Sequence, residues 1–272
     1  MKPVRVLTIA GSDSSGGAGI QADLKTITVL GGFGMSVITA LTAQNTLGVQ
    51  GIYDVSPDFV EKQFESVMSD MGVDAAKTGM LANAAVLQVV ADNIRKYHIE
   101  KLVVDPVMVA KGGMLLIRGE FREALIRELI PSALVVTPNI PEAEVLAEIH
   151  ITSVSDMKKA ARIIHDFCVK NVVVKGGHLS GDAVDVLYDG RHFHEFASER
   201  IGEEGIHGTG CTFSAAIATG LAKGKSVLDA VEEAKAYITE VIRYACHIGG
   251  GHRVINHNVS VKKCHLDRRE RS

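Results

Sequence analysis

Gly208-Thr209-Gly210-Cys211-Thr212 is the stretch of this 272-residue chain best suited to chemistry on an anion. Two glycines flank a threonine, a cysteine follows, and residues 213–223 then favour helix until Gly224 stops it. A glycine turn opening a helix leaves several backbone N–H groups without intrahelical partners, and the helix dipole adds partial positive charge. Phosphate binds at such turns, although the same residues also suit a plain glycine-rich helix start holding a small buried thiol. The pattern Gly-x-x-x-x-Gly-Lys-Ser/Thr is missing and no lysine follows Gly210, so this is no Walker loop. Gly16-Gly17-Ala18-Gly19 has the wrong spacing for a dinucleotide fingerprint. A phosphate held here needs another architecture.

Short apolar runs supply it. Residues 4–10, 35–43, 74–77, 102–104, 134–136 and 172–174 read as strands rich in Val, Ile and Leu. Helical spacing covers about 18–30, 57–71, 83–97, 120–129, 155–168, 209–223 and 226–244. Residues 183–196 read as a β-hairpin turning at Asp189-Gly190. Strands without polar alternation, separated by helices, are what a parallel sheet buried on both faces requires. With no internal repeat or linker, one doubly wound α/β domain fits. Cys246 onward reads as a tail, solvated or touching a partner.

Ligands of open α/β sheets sit beyond the carboxyl ends of the strands. Asp13, Gln44, Met80, Asp105, Asn139, Glu142, Lys175 and the Gly208 loop all fall there. The set suits phosphoryl transfer: Asp105, Asn139 and Glu142 are hard oxygen ligands for Mg²⁺ or its waters, and Lys175 and a helix N-terminus neutralise phosphate oxygens. Taken singly, each has a bland reading. Asn139 and Glu142 suit a helix cap, Asp105 before Pro106 a turn, Lys175 a surface cation and Asp23 a solvated helix position. Their joint placement at successive strand ends favours chemistry.

Composition narrows the class. Hydrophobic residues make up 46% and charged residues 22%, ordinary for a globular protein with a large core. A net charge of -3 argues against a nucleic-acid surface. No apolar run reaches membrane-spanning length and no signal peptide precedes the first strand, which reads as cytoplasmic. Cys168, Cys211, Cys246 and Cys264 are too few for a disulfide framework, in keeping with a reducing compartment. The tail residues His247, His252, His257, Cys264 and His265 fit no tight zinc spacing, and Lys262, Lys263, Arg268, Arg269 and Arg271 read as a solvated basic end.

Several motifs resemble one family. They are the opening run from Leu7 to Thr26, Thr42-Ala43-Gln44-Asn45-Thr46, Lys77-Thr78-Gly79-Met80-Leu81, Asp105-Pro106-Val107-Met108, Thr137-Pro138-Asn139-x-x-Glu142, Lys175-Gly176-Gly177-His178 and His207-Gly208-Thr209-Gly210-Cys211-Thr212. In this order, over roughly residues 4 to 240, they resemble the hydroxymethylpyrimidine and phosphomethylpyrimidine kinases of thiamine biosynthesis. The resemblance implies a ribokinase-like three-layer α/β/α fold with a mostly parallel sheet and a small flap or hairpin, the kinase domain spanning 1–245 and the tail 246–272. It also implies ATP as donor, Mg²⁺, a small pyrimidine substrate and a homodimer. Carried over by motif, Gln44 would hydrogen-bond the pyrimidine, with Asp23 and the Ala18 backbone nearby and Met80 and Val107 against the ring. Asn139, Glu142 and Asp105 would organise Mg²⁺, Lys175, Asp105, Asn139 and Thr209 would face the nucleotide, and Gly208 to Cys211 would form an anion hole. An amide such as Gln44 can meet both donor and acceptor edges of an aminopyrimidine.

Cys211 stands where the wider superfamily places an aspartate base, and it matches the pyrimidine-kinase branch. A free thiol has a pKa of about 8.5, and a helix N-terminus favours its thiolate. Cys211 is therefore expected as base or substrate positioner, or else as an inert small residue. A related pyridoxal kinase carries a second cysteine in the loop after Asp-Pro-Val-Met; here that loop, expected to be mobile, reads Val109-Ala110-Lys111-Gly112-Gly113. Gly205-Ile206 before His207 departs from the family, where threonine is common. A non-catalytic sensor would have lost the groups that Asn139, Glu142, Lys175 and both loop glycines retain.

Overall fold

The computed structural model describes residues 2–108, 119–177, 181–201 and 206–259. The expected mobile loop at 109–113, His178, Gly205, Cys264, His265 and the basic end lie outside the described residues. The strands are β1 Val4–Asp13, β2 Gly32–Asn45, β3 Gly48–Asp54, β4 Ala75–Thr78, β5 Leu102–Val104, β6 Val135–Val136, β7 Val172–Val174, β8 Ala183–Tyr188 and β9 Phe193–Ser198. They form one sheet in the order β3-β2-β1-β4-β5-β6-β7-β8-β9. Strands β2 to β7 along that order run parallel, while β3 closes one edge and the β8–β9 hairpin the other, both antiparallel.

Alternating side chains send each strand to two cores, as parallel sheets covered on both faces must. Leu7, Ile9, Val37, Val104, Val136 and Val172 pack beneath α2 Pro57–Asp70, α3 Ala84–Lys96, α5 Ile140–Ala147 and α6 Val154–His165. Val6, Val103, Val135 and Val173 meet α7 Thr209–Ala222 and α8 Val227–Arg243, with α1 Gly19–Val29 beside them. The result is three layers. Helix α7 is buried from Thr212 to Ala222, and each large side chain it hides, such as Phe213, Ile217 or Leu221, contributes about 1.5–3 kcal/mol. Gly220 lets α8 approach: a Cβ there would lie 3.0 Å from that of Ala230.

Several expectations change. Strand β1 does not stop before Gly11 but continues to Asp13, with an irregular register between Ala10 and Ser12. Residues 120–129 are not one α-helix: α4 Gly119–Ala124 widens into a π turn at Leu125–Leu129 and a 3₁₀ turn at Ile130–Ser132, where Pro131 supplies no backbone N–H. Strand β3 was not expected, because Gly48 and Gly51 dilute its β signal. The chain after Cys246 does not float free either. Val254 pairs with Cys246 and His207, Gly251 N donates to Thr46 Oγ1, and Ile255 and His257 are buried.

Candidate active site

Two helix N-termini meet over the carboxyl ends of β1, β4, β5 and β7. The first opens α1. Asp13, at the end of β1, accepts from Ser15 N at 2.9 Å, Ser15 Oγ at 2.7 Å, Gly17 N at 3.1 Å and Ala18 N at 2.8 Å, folding the glycine turn around one carboxylate. Burial opposes this charge, but His207, Ser15 and the amides hold Asp13 far below the usual carboxylate range. The Ala18 amide, expected near substrate, is therefore already donated to Asp13.

The second N-terminus opens α7 and is locked against the first. Gly208 has φ of +88°, and a Cβ there would fall 1.9 Å from Gly17 O, so only glycine fits. Thr212 N donates to Gly208 O to start the helix, and Thr212 Oγ1 lies 3.0 Å from His257 Nε2. Burial, aided by Lys25, lowers His257 to about 4, so it is neutral. The returning C-terminal segment thus fastens the first turn of α7.

Beneath α7 lie two ion pairs, one part-buried and one wholly buried. Lys175, after β7, donates to Asp105 Oδ1 at 2.9 Å, and Asp105 Oδ2 receives Ser214 Oγ at 3.3 Å. A Cβ built at Gly210 would sit 3.4 Å from Lys175 Nζ and 3.5 Å from Asp105 Oδ2, so the helix start faces this pair. Burial works against the Lys175 charge, but Asp105 and Glu142 outweigh it and hold the ammonium protonated. The second pair is Asp23 with Lys77, whose Nζ lies 3.1 Å from both carboxylate oxygens; Thr8 Oγ1 donates to Asp23 at 2.5 Å. Both side chains are wholly buried, so Asp23 is not a solvated helix position. Lys77 was missed as a site residue. A lysine at the end of an otherwise apolar strand was the available signal.

Asn139 and Glu142 form the capping box of α5: Asn139 Oδ1 accepts from Glu142 N and Glu142 Oε2 from Asn139 N, each at 2.9 Å. The cap also places a carboxyl at the site, because Asn139 bridges to Lys175 just after β7. Burial pushes Glu142 up to about 7; Lys175 and the amides of Asn139 and Met108 pull it down, and Asp105 pushes it up. Capping and site position are the same fact here.

Cys211 keeps part of its surface open, yet burial pushes its thiol up to about 11, with Lys77 opposing and Asp23 and Asp105 reinforcing. The expected thiolate is therefore not favoured: nearby carboxylates and lost hydration outweigh the helix N-terminus. Gln44, at the end of β2, is partly exposed; one amide atom lies 3.1 Å from Thr42 Oγ1 and the other 2.9 Å from His207 Nε2. Met80 and Val107 are likewise half-buried, and Met80 Cε lies 2.5 Å from where a Cβ of Gly11 would be. Thr209 begins α7.

As for Mg²⁺, no group of three His, Cys, Asp or Glu side chains among the described residues is placed to hold an ion directly. Asp105 Oδ1 is taken by Lys175, and the caps occupy Asn139 and Glu142. These donors do not form a direct cage. They fit an ion that keeps its waters and leans on phosphate oxygens, which is how Mg²⁺ commonly binds.

Comparison with known proteins places this geometry. A family model described as phosphomethylpyrimidine kinase matches residues 13–256. A hydroxymethylpyrimidine/phosphomethylpyrimidine kinase of Bacillus subtilis is 46% identical over 94% of this chain and 96% of its own. A thiamine biosynthesis bifunctional protein of Geobacter sulfurreducens is 54% identical over 93% of this chain, which spans only 52% of that relative's length. Among solved structures, the pyridoxal kinase of Staphylococcus aureus in complex with AMP-PCP and pyridoxal superposes with a TM-score of 0.89 at 36% identity, covering 96% of each chain.

Proposed function

The chain belongs to the phosphomethylpyrimidine kinase family, and we propose that it moves the terminal phosphoryl group of ATP to the hydroxymethyl oxygen of 4-amino-5-hydroxymethyl-2-methylpyrimidine, then to the monophosphate, yielding the diphosphate for thiamine biosynthesis. One observation carries the reading: the start of α7 at Gly210 faces the part-buried Lys175–Asp105 pair, so helix-start amides and an ammonium flank one space. The complex of a neighbouring kinase with AMP-PCP supports ATP as donor.

Phosphoryl transfer passes through a loose transition state in which positioning and charge neutralisation dominate. The amides of Gly208 to Cys211 and the Lys175 ammonium take the developing charge on the transferred group. Asp105 holds Lys175 in place, and Ser214 holds Asp105. Asn139 and Glu142 would hold Mg²⁺ through its waters, and the ion would supply neutralisation of nucleotide charge. Cys211, in the first turn of α7 and near the Asp23–Lys77 pair, positions the substrate hydroxyl as a neutral thiol. A loose transition state loses the hydroxyl proton late and asks little of a base. Gln44, Met80 and Val107 shape the pyrimidine side, with Asp23 acting through Lys77.

A homodimer is part of this reading: Leu41 on β2 and Tyr53 on β3 are register partners, 46% and 71% exposed, at the sheet edge. No helix among the described residues is long and apolar enough to cross a membrane; the free thiols Cys168, Cys211 and Cys246 suit a reducing, cytoplasmic compartment. The test is an ATP-consumption assay with hydroxymethylpyrimidine, its monophosphate and pyridoxal as acceptors. Turnover of both pyrimidines supports the reading. A preference for pyridoxal by orders of magnitude assigns the vitamin B6 activity suggested by the Staphylococcus aureus neighbour instead.

A further inference from the structure

Gln44 sits among groups that leave its amide one comfortable orientation. Four distances define the problem. Thr42 Oγ1 lies 3.0 Å from Ser12 O and 3.1 Å from one amide atom of Gln44. The other amide atom lies 2.9 Å from His207 Nε2, which is itself 3.0 Å from Asp13 Oδ2.

A carbonyl only accepts, so the single Thr42 hydroxyl proton belongs to Ser12 O. What faces Thr42 from Gln44 is then best a donor. At the other end, Asp13 accepts from four further groups in the α1 turn and is acceptor-only. His207 Nε2 must therefore carry a hydrogen, in its neutral or its charged form alike, and a group 2.9 Å away is best an acceptor. Amide oxygen and nitrogen exchange places by a half-turn. With the –NH₂ toward Thr42 and the C=O toward His207, every acceptor faces a donor, the one Nε2–H being shared between Asp13 and the Gln44 carbonyl; the opposite setting, with Oε1 at Thr42 and Nε2 at His207 as the structure places them, points the –NH₂ at the Nε2–H and asks the Thr42 proton to serve two acceptors. Gly17 keeps the imidazole close, since a Cβ there would lie 2.7 Å from His207 Cδ2.

We infer that His207, held by Asp13, and Thr42, held by Ser12 O, are positioning residues that lock the Gln44 amide in one sense and so set the enzyme's preference for a 4-aminopyrimidine over its 4-oxo counterpart. The inference rests on the pyrimidine-kinase reading. An amide locked at both ends keeps one N–H and one carbonyl lone pair for the ligand in a fixed order. A 4-aminopyrimidine offers an amino donor beside a ring-nitrogen acceptor; the 4-oxo analogue reverses the order to an acceptor beside a ring N–H. A free amide would turn to suit either.

The experiment measures kcat and KM with 5-hydroxymethyl-2-methylpyrimidine acceptors bearing either 4-amino or 4-oxo, for wild type, His207→Phe, His207→Gln and Thr42→Val. Wild type is expected to prefer the amino compound by about 100-fold in kcat/KM, as mispaired buried polar groups dictate. His207→Phe removes the donor and should shrink that ratio to a few-fold, through KM for the pyrimidine, with KM for ATP little changed. His207→Gln, which restores a side-chain N–H, should recover much of the ratio. If the phenylalanine variant does not fold, Thr42→Val is read instead and predicts the same collapse. A ratio unchanged in whichever of the two variants folds overturns the inference while leaving the kinase reading intact. Wild type inert toward the amino compound defeats both.

Discussion

Replacing Cys211 by alanine deletes a thiol that neighbouring carboxylates and burial keep neutral, so the loss should fall on positioning. The expected result is a drop of roughly 100-fold in kcat with the dissociation constant for ATP nearly unchanged, read by steady-state kinetics and nucleotide titration. A fully active alanine variant would remove Cys211 from the mechanism. Glu142 carries a pH signature. Burial favours its protonated form, so its contribution to stability is complete below its ordinary value of 4.5 and is lost as pH rises through about 7. Glu142→Gln keeps a side chain able to close the capping box but cannot ionise. Its melting temperature in the absence of nucleotide should therefore lack the part of the wild-type fall between pH 5 and 8 that this group causes, on the order of 1–3 kcal/mol. Identical pH profiles would show that Glu142 is not the titrating group.

At the scale of elements, the junction of the two helix starts is the stiffest demand on the sequence. Gly208→Ala would force φ near +88° on an alanine and drive its Cβ into Gly17 O. Strain of this kind costs on the order of 1–3 kcal/mol, and the α7 turn must shift to relieve the contact with Gly17 O. Weaker ATP binding and lower kcat should appear together; a variant with wild-type kinetics would mean that the turn does not hold phosphate. How far such elements were legible depended on their signal. The valine runs of β5, β6 and β7 announced a sheet buried on both faces, and Asp189-Gly190 announced the hairpin now seen between β8 and β9. Strand β3 stayed hidden because two glycines and an exposed edge position leave little pattern to read. The Asp23–Lys77 pairing stayed hidden for another reason: a lysine ending an apolar strand marks a position, but its partner is 54 residues away and no local spacing reveals a pair made by tertiary packing.

For the molecule as a whole, Asp13, Asp105 and Lys175 stand at strand ends beside the start of α7, but the segment that packs against His207 and Thr212 was read as a tail. Val254 and His257 contact His207 and Thr212 across long separations, so composition alone suggested solvent. Assembly is the other property at this scale. In the proposed homodimer, Leu41→Glu places a charge opposite Tyr53 on the exposed β2–β3 edge and should shift sedimentation from that of wild type toward monomer; a wild type that sediments as a monomer, or a variant that sediments as wild type, would contradict this interface. The central claim, that α7, Lys175 and Cys211 share one transferred phosphoryl group, is tested most directly by a crystal structure with a non-hydrolysable ATP analogue, Mg²⁺ and hydroxymethylpyrimidine. The terminal phosphate is predicted between the Gly210 amide and Lys175 Nζ, with the hydroxymethyl oxygen beside Cys211. A triphosphate lying away from Lys175 and the α7 turn would contradict it.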